Sequence, residues 1–427
     1  MRVLVIGGGA REHALVARLA VDRDVGEILC VPGNPGIARL ARTLPIDAGN
    51  LDALVSAADR EAIHFTLVGP ELPLSLGIAD RFAEEGRLLL GPTSAAARLE
   101  SSKAFAKAFM ARHRVPTARF HTCDSAEAAL GVVASGEFGW PVVLKADGLA
   151  AGKGVVIADD RAAAESAIAA AMRDRRFGAA GDRLVIEEFL MGPEVSFFVI
   201  SDGARAVRIG TAQDHKRIFD DDRGPNTGGM GAFAPSPLVD AALEARIMET
   251  IVEPVIRGMA AEGQPFRGFL YAGLMLTADG PKVIEFNVRL GDPEAQVLLP
   301  LVDEPLLPLL VGAAAGSLKQ TTVRLAADRV TGVVLASRGY PESSESGRPI
   351  EGIDRAEAID GVVVYHAGTA VRNARLVTSG GRVLTVVGRG KDFAEATARA
   401  YAGVLQISFD GMQYRHDIGR KAMAYGA

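Results

Sequence analysis

A short stretch near residue 285 carries side chains suited to holding a metal–nucleotide complex. Glu285 and Asn287 lie two positions apart in an apolar segment predicted to be a strand, so their side chains share one face. Both offer hard oxygen ligands, which suit Mg²⁺ bridging nucleotide phosphates. Arg289 continues that face and could hold an anionic substrate or a transferring phosphoryl group. Three polar side chains on one strand face favour a functional site over a core strand.

A second candidate contains lysines on both sides of a run of small residues. Lys145 ends a predicted strand, and the segment from Gly148 to Gly154 includes Gly152 and Lys153. A rigid lysine beside a flexible glycine-rich segment is what a lid over a polyphosphate requires. It is not a Walker loop, because no Ser or Thr follows Lys153 and no helix is predicted there. A solvated turn is the alternative interpretation.

Acidic residues follow another apolar strand. Glu187 and Glu188 are adjacent, so at most one of them is expected to face a core. The backbone continuing through Phe189 and Leu190 could pair with the edge of an adenine, and Glu194 could bind ribose hydroxyls. An edge-strand charge pair is the alternative.

Three glycines, Gly7 to Gly9, join the first predicted strand to a helix. Backbone amides and the positive end of the helix favour an anion there. A dinucleotide site is not expected, because Glu12 replaces the last glycine of G-x-G-x-x-G and no acid ends the second strand. The phosphate of a smaller substrate, with Arg11 as its partner, fits better. A structural tight turn is the alternative.

A polar segment, 213–231, combines an acid, basic residues and exposed backbone amides. This mixture suits the ordering of a small polar substrate when a mobile segment closes. Its His215 has no predicted catalytic role, because a lone histidine is more often a surface residue. The residues of interest are Asp214, Asn226, Thr227 and Gly228.

Composition excludes several classes of protein. The 427 residues carry 47 Lys and Arg against 52 Asp and Glu, a net charge of −5, whereas nucleic-acid binders normally carry a basic excess. No apolar stretch approaches the roughly 20 residues that a bilayer requires. Two cysteines are too few for a disulfide framework. Without a secretory leader, these features predict a cytoplasmic protein with no nucleic-acid or membrane partner.

The elements that position these residues form three predicted units. An open parallel α/β sheet is expected first, because short apolar runs alternate with amphipathic helices. Its strands are predicted at 3–6, 27–31, 66–68 and 88–90, and its helices at 12–20, 51–60 and 74–85. A domain boundary is predicted near Ser101.

The second unit begins with a basic helix at 102–113 and contains strands, hairpins and a long helix. Its predicted strands are 141–145, 154–158, 184–189, 194–200, 206–211, 269–276 and 282–286, and its other helices are 161–173 and 239–262. Residues 216–237 are predicted to be a loop, and loops of that length are usually functional or disordered. The final hundred residues are predicted to be a separate α+β unit with strands 332–337, 362–366 and 382–387 and a helix 393–405.

The long strings 7–13, 145–154, 213–217, 224–231 and 285–294 together resemble the phosphoribosylamine–glycine ligase family, within the ATP-grasp superfamily. The resemblance extends over essentially the whole chain. Val288 and Leu290 depart from the expected Cys and Phe, but both changes are apolar. Gly273 stands where many superfamily members have a third metal carboxylate, which leaves the metal count open.

The resemblance implies an ATP-grasp domain over 102–325, with a small lid subdomain at 120–192, between an N-terminal substrate domain, 1–101, and a C-terminal domain, 326–427. It implies ligation of glycine to 5-phosphoribosylamine, driven by ATP with Mg²⁺ or Mn²⁺, by a protein that is expected to be a monomer. Catalytic roles are implied for Arg289, Asp214 and Lys145.

Binding roles follow from the same resemblance. For ATP, phosphate contacts are expected from Lys103 and Lys145 with the lid residues Gly152 and Lys153, and nucleoside contacts from Glu187, Glu188, Phe189, Leu190 and Glu194. The metal is expected on Glu285 and Asn287, and the glycine ammonium on Asp214. Phosphoribosylamine is assigned to Gly9, Arg11, Glu12, Asn226, Thr227 and Gly228.

Three rival functions stay open. Another carboxylate–amine ligase of the superfamily would keep the ATP residues and bind a different amine. A nucleotide-sensing module would not need Arg289 beside a metal pair. A nicotinamide dehydrogenase would need the acid that is absent after the second strand.

Overall fold

The computed structural model describes residues 1–148 and 154–425. Its first hundred residues form the parallel sheet that the sequence predicts, in the order β3-β2-β1-β4-β5. The central strand β1 pairs in parallel with both β2 and β4. The strands are β1 (Arg2–Gly7), β2 (Glu27–Pro32), β3 (Arg42–Thr43), β4 (Phe65–Val68) and β5 (Leu89–Leu90). The short β3 was not predicted, because two residues carry no periodicity.

Helices cover both faces of this sheet. Val3 and Val5 pack against one side of the molecule's core, and Leu4 and Ile6 pack against the other. The predicted helix 74–85 is interrupted at Gly77, whose φ of 90° is left-handed and favours glycine. The helices are α1 (Ala10–Leu19), α2 (Leu51–Arg60), α3 (Glu71–Ser75), α4 (Ile78–Glu84), α5 (Ser94–Ser101) and α6 (Lys103–Arg112).

A second, antiparallel sheet in the described chain has the order β6-β9-β7-β8 and encloses a small core of its own. Its strands are β6 (Phe120–Cys123), β7 (Val142–Ala146), β8 (Val155–Ala158) and β9 (Leu184–Glu188), and its helices are α7 (Ala126–Ser135) and α8 (Arg161–Ile168), which continues as a π-helical turn (Ala169–Arg173). Strand β6 was not predicted from the sequence, because three of its four side chains are exposed or half-buried.

The largest sheet runs β16-β15-β10-β11-β14-β17-β21-β18 among the described residues. Three strands from the C-terminal region, β17, β18 and β21, extend this sheet instead of forming a separate one, because β17 pairs with β14. Its members are β10 (Glu194–Asp202), β11 (Ala206–Asp214), β14 (Gly231–Ala234), β15 (Arg267–Thr277), β16 (Gly280–Asn287), β17 (Arg329–Ala336), β18 (Val362–His366) and β21 (Arg382–Gly390).

The predicted loop 216–237 is ordered, which corrects the sequence-based expectation. It contains a hairpin of β12 (Arg217–Phe219) and β13 (Arg223–Asn226), followed by β14 of the large sheet. Hydrophobic alternation is weak there because Gly and Ala fill most of β14, although all four residues are buried. A further hairpin, β19 (Thr369–Arg372) and β20 (Arg375–Thr378), lies near the C-terminus.

The remaining helices pack around the large sheet. The predicted helix 239–262 consists of α9 (Ala241–Ile247), a π-helical turn (Met248–Val252) and α10 (Glu253–Ala261). The others are α11 (Glu294–Leu298), α12 (Leu306–Ala314), α13 (Ile353–Glu357), α14 (Phe393–Val404) and α15 (Arg420–Tyr425). None of the helices in the described ranges is both long and apolar enough to cross a bilayer.

Candidate active site

Lys145, near the end of β7, reaches the strand that carries the metal candidates. Its Nζ donates a 3.0 Å hydrogen bond to the backbone carbonyl of Ile284 and lies 3.0 Å from the Glu187 carboxylate. The register of β15 with β16 shifts beside Ile284, which makes that residue the extra one of a β-bulge. The four-stranded and eight-stranded sheets therefore meet at the predicted phosphate site.

The two adjacent acids of β9 have different surroundings. Glu187 is buried and contacts two lysines, Lys145 and Lys107 of α6. Glu188 is half-buried and accepts hydrogen bonds from the backbone N–H and from Nε of Arg119, whose side chain is exposed. The prediction that both acids would not face the core agrees with this arrangement, and each side chain is engaged by protein groups.

The chain beyond β9 is more open. Phe189 has 38% of its surface exposed, and Leu190 is half-buried. Glu194 begins β10 and pairs with Lys216 over 2.6 Å. The adenine and ribose roles of these residues stay predictions.

We call three carboxylates the open acid group: Asp214 at the end of β11, Glu285 near the end of β16 and Glu294 at the start of α11. Among the described residues, none of the three contacts a lysine, arginine or histidine. Burial, together with Glu294, Glu194 and Glu285, raises the pKa of Asp214 to about 7, against the opposing effect of Lys216. Burial also acts to raise the pKa of Glu285, but Lys216, Lys103 and Lys145 outweigh it and hold that pKa below its usual value. Glu285 is therefore ionised at neutral pH.

The chemistry of Glu285 and Asn287 fits a hard divalent cation. An ionised carboxylate and an amide oxygen sit two residues apart on β16, and both are ligand types that Mg²⁺ accepts. The described residues contain no cluster of three His, Cys, Asp or Glu side chains placed to hold a metal. Gly273, opposite Glu285 on β15, adds no side chain. Further ligands would have to come from nucleotide phosphates and water.

Arg289 is held by acids from the N-terminal part of the chain. Its guanidinium contacts Glu100 of α5 at 2.8 Å and Glu71 of α3 at 3.2 Å, and it donates to Asn287 Oδ1 at 3.2 Å. Glu100 also accepts the backbone N–H of Val288. Burial opposes the charge of Arg289, but these carboxylates raise its pKa. The strand end bearing the predicted phosphoryl contact is thus fixed by α3 and α5.

The glycine-rich turn after β1 is filled by the protein's own side chains. Glu12 accepts the backbone N–H of Gly9 at 2.6 Å and contacts Arg11 Nε at 2.6 Å. A Cβ at Gly7 would lie 2.5 Å from Glu12 Cγ, so this glycine makes room for that side chain. Arg11 also donates to the Leu290 carbonyl. Its predicted phosphate contact would use the remaining guanidinium hydrogens.

The other predicted phosphoribosylamine residues lie near this turn. Arg382 of β21 donates to the carbonyls of Gly228 and Asp292, at 2.7 and 2.6 Å. Gly9 lies close to Asp292 as well, since a Cβ on Gly9 would be 3.5 Å from Asp292 Oδ2. Gly9 and Gly228 are therefore both near Asp292. Thr227 Oγ1 and N both donate to the Lys216 carbonyl, and Asn226 ends β13. The structure brings these residues of distant sequence together.

The lid candidates are only partly described. Lys103, the first residue of α6, donates to the Gly148 carbonyl at 3.1 Å. It therefore lies at the start of the glycine-rich segment 148–154. Gly152 and Lys153 lie outside the described residues.

Comparison with known proteins decides the family. Models for the N domain, the ATP-grasp (A) domain and the C domain of phosphoribosylglycinamide synthetase match residues 1–100, 101–295 and 330–421. A phosphoribosylamine–glycine ligase of Xylella fastidiosa is 48% identical over 99% of this chain and 98% of its own length. One of Ralstonia nicotianae is 48% identical over 99% and 100%.

The chain belongs to the phosphoribosylamine–glycine ligase family. The crystal structure of the Thermotoga maritima phosphoribosylamine–glycine ligase is similar at a TM-score of 0.86 and 33% identity, covering 98% of this chain and 100% of that one. A biotin carboxylase of Campylobacter jejuni has a TM-score of 0.74 at 17% identity, over 97% and 92% of the two chains, and shares the fold.

In this member of the phosphoribosylamine–glycine ligase family, several residues that contact or adjoin the candidate site residues were not predicted from the sequence. Asp292 and Glu294 lie in the motif 285–294 but had no expected role. Lys107 lies four residues after Lys103, one helical turn away, and that spacing was a usable signal. Glu71, Glu100 and Arg382 come from distant segments, and no local pattern points to them.

Proposed function

We propose that this chain catalyses the ATP-driven ligation of glycine to 5-phosphoribosylamine, giving glycinamide ribonucleotide, ADP and phosphate. Family membership over the full length supports the reaction. The observation that carries the assignment of the site is the hydrogen bond from Lys145 Nζ to Ile284, the neighbour of Glu285. This contact supports the proposal, because Lys145, the candidate phosphate contact, lies beside the strand that carries the candidate metal ligands Glu285 and Asn287.

The chemistry requires activation of the glycine carboxylate. A carboxylate is a poor acylating agent because its leaving group would be oxide, whereas glycyl phosphate has phosphate as its leaving group. The amine of phosphoribosylamine then attacks the acyl carbon, the C–O bond to phosphate breaks, and the amine loses a proton. Positioning and charge neutralisation dominate phosphoryl transfer, so Lys145, Lys103 and Arg289 have the roles of holding anionic oxygens.

Glu285 and Asn287 would hold Mg²⁺ or Mn²⁺, which when bound neutralises charge on the phosphates. Asp214 would hold the glycine ammonium. The raised pKa of Asp214 supports this role, because a buried carboxylate among other acids gains most from a cationic ligand. Gly9, Arg11, Glu12 and residues 226–228 would bind phosphoribosylamine beside Asp292 and Arg382.

The remaining predictions concern the rest of the molecule. The strand from Glu187 to Leu190, with Glu188 and Phe189, and then Glu194 would bind the nucleoside, and the segment with Gly152 and Lys153 would exclude water from the acyl phosphate. We keep the domain limits at 101 and 325, the lid at 120–192, a cytoplasmic location and a monomeric state as predictions.

The test is an assay of ADP release with ATP, Mg²⁺, glycine and freshly made phosphoribosylamine. Unaltered protein should release ADP only when all substrates are present. Glu285→Ala should lower kcat/KM about 10³-fold, as the loss of one transition-state charge contact does. Glu342→Ala, at an exposed position, is the matched control. Turnover with another amine but not phosphoribosylamine would favour a different ligase, and normal activity of Glu285→Ala would remove the metal assignment.

A further inference from the structure

Three buried charged side chains, Lys107, Lys145 and Glu187, lie together behind the predicted phosphate site. Of these side chains, only that of Lys145 has a direct role in the proposed reaction, because the strand from Glu187 to Leu190 would contact the nucleoside through its backbone. Lys107 Nζ is 2.9 Å and Lys145 Nζ is 3.0 Å from the carboxylate of Glu187. Their exposed fractions are 2%, 5% and 3% for Lys107, Lys145 and Glu187. One carboxylate therefore serves two ammonium groups, and the trio has a net charge of +1.

The two lysines are anchored differently. Lys107 also donates to Thr117 Oγ1 at 2.7 Å, and Thr117 donates to the Val283 carbonyl at 2.7 Å. Its ammonium lies 5.6 Å from the centre of the Phe120 ring. These partners all lie behind the site, between α6, β6 and β16. Lys145, by contrast, has the Ile284 carbonyl at the bulge as its second partner, beside Glu285.

A buried carboxylate without a cation is strongly destabilised. If Lys145 were the only cation near Glu187, moving its ammonium to a phosphate would leave that carboxylate unpaired. With Lys107 in place, Glu187 stays paired when Lys145 turns toward a ligand. The net positive charge of the trio also attracts a polyphosphate, whereas a single Lys145–Glu187 pair would be neutral.

We propose that Lys107 is a positioning residue that holds the Glu187 carboxylate and so frees Lys145 to bind the phosphates of ATP. The proposal rests on the proposed function of Lys145. Lys107 itself does not touch the nucleotide, because its ammonium is buried and engaged by Glu187 and Thr117. Burial and the neighbouring Lys145 lower the pKa of Lys107 to about 8, against the effect of Glu187, consistent with two ammonium groups sharing one acid.

The first test replaces Lys107 by methionine, which keeps much of the length of the side chain and removes its charge. Lys107→Met should weaken the binding of a non-hydrolysable ATP analogue about tenfold, as expected for a charge lost near a polyphosphate at an effective dielectric near 20. The KM for ATP should rise in parallel, and the KM for glycine should stay within about twofold. Lys107→Arg should retain near-normal affinity for the ATP analogue. Lys319 is exposed, so Lys319→Met is the control.

A double variant separates this role from a structural one. Lys107→Met combined with Glu187→Gln should bind the analogue more tightly than Lys107→Met alone, because the carboxylate that retains Lys145 is gone. If Lys107 only stabilised the fold, the two losses would add. If Lys107→Met does not fold, Thr117→Val provides a milder change that should raise the KM for ATP two- to threefold.

The outcomes distinguish the two proposals. Unchanged analogue affinity in Lys107→Met, with a lower melting temperature, would overturn the positioning role and leave the proposed function standing. Absence of glycine-dependent ADP release by the unaltered protein would overturn the proposed function instead. Weaker analogue binding by Lys107→Met, with recovery in the double variant, supports the role of Lys107.

Discussion

Two groups of carboxylates lie in this site, and they differ in what they contact. Glu12, Glu71 and Glu100, which we call the paired acid group, each have an arginine at hydrogen-bond distance: Arg11 for the first and Arg289 for the other two. The open acid group has no such contact among the described residues. Paired acids fix the geometry of the site, whereas acids that contact no cation of the protein are candidates to receive positive charge from a ligand.

The two groups also have different origins in the fold. The paired acids come from α1, α3 and α5 and hold the end of β16 and the turn after β1. The open acids come from the ends of β11 and β16 and the start of α11. The N-terminal unit therefore positions the site, and the large sheet with α11 supplies the acids that contact no cation among the described residues.

The largest effect on stability is expected when the cation of the paired group is removed. Arg289→Met should lower the free energy of unfolding by about 3–5 kcal/mol, because Glu71 and Glu100 would stay in the site without a partner. Urea denaturation followed by circular dichroism measures this difference. The exposed Arg161→Met should change it by less than about 0.5 kcal/mol. Equal effects of the two changes would contradict the role of Arg289 as the cation that the paired acids Glu71 and Glu100 require.

Removing Asp214 from the open acid group should have the opposite sign. The pKa of Asp214 is about 7 in the folded protein, above its ordinary value of 3.8, so the folded state binds more protons between these pH values. Its contribution to stability therefore falls as pH rises from about 4 to 7. Asp214→Asn should stabilise the protein by about 2 kcal/mol at pH 8, while glycine binding is lost.

The pH dependence of that gain provides the check. Thermal unfolding of Asp214→Asn and of the unaltered protein should give the same stability near pH 4 and diverge up to pH 7. Destabilisation by Asp214→Asn at pH 8 would show that the aspartate already has a protein cation as its partner, and Asp214 would then leave the open acid group.

The smallest effect is expected at the surface. Arg119 pairs with Glu188, but 59% of its side chain is exposed, and solvent screens such pairs. Arg119→Ala should leave the free energy of unfolding nearly unchanged, and added salt should reduce even a small effect. A loss of stability comparable to that of Arg289→Met would show that solvent exposure does not weaken the Arg119–Glu188 pair relative to the pairs of Arg289.

Elements with clear periodicity could be predicted from the sequence. The parallel N-terminal sheet and the family were predicted and are confirmed, since buried strands and long exact motifs carry strong local signals. The failures have local causes as well. β6 is mostly exposed, β14 is built largely of small residues, and the helix predicted at 74–85 is interrupted at the left-handed Gly77.

For the candidate site, the sequence predicted which residues share a strand face but not which distant residues they contact. Alternation along the predicted strand put Glu285, Asn287 and Arg289 on one face, although β16 ends at Asn287 and Arg289 lies two residues beyond it. The partners of Arg289 come mainly from other elements. Glu100 lies almost two hundred positions before Arg289, and Arg382 reaches Gly228 from the last quarter of the chain. Long-range contacts of that kind depend on tertiary packing, which no local pattern reports.

The most direct test of the central claim is the number of protons released when the open acid group receives its ligands. Isothermal titration calorimetry at pH 7, in buffers of different ionisation enthalpy, measures this number as a non-hydrolysable ATP analogue, Mg²⁺ and glycine bind. The unaltered protein should release about half a proton more than Asp214→Asn, because a carboxyl with a pKa near 7 becomes fully ionised beside the glycine ammonium, whereas Asp214→Asn neither binds glycine nor has that proton to release. Equal proton release by the two proteins would contradict the assignment of the open acid group as the place where the positive charge of the substrates binds.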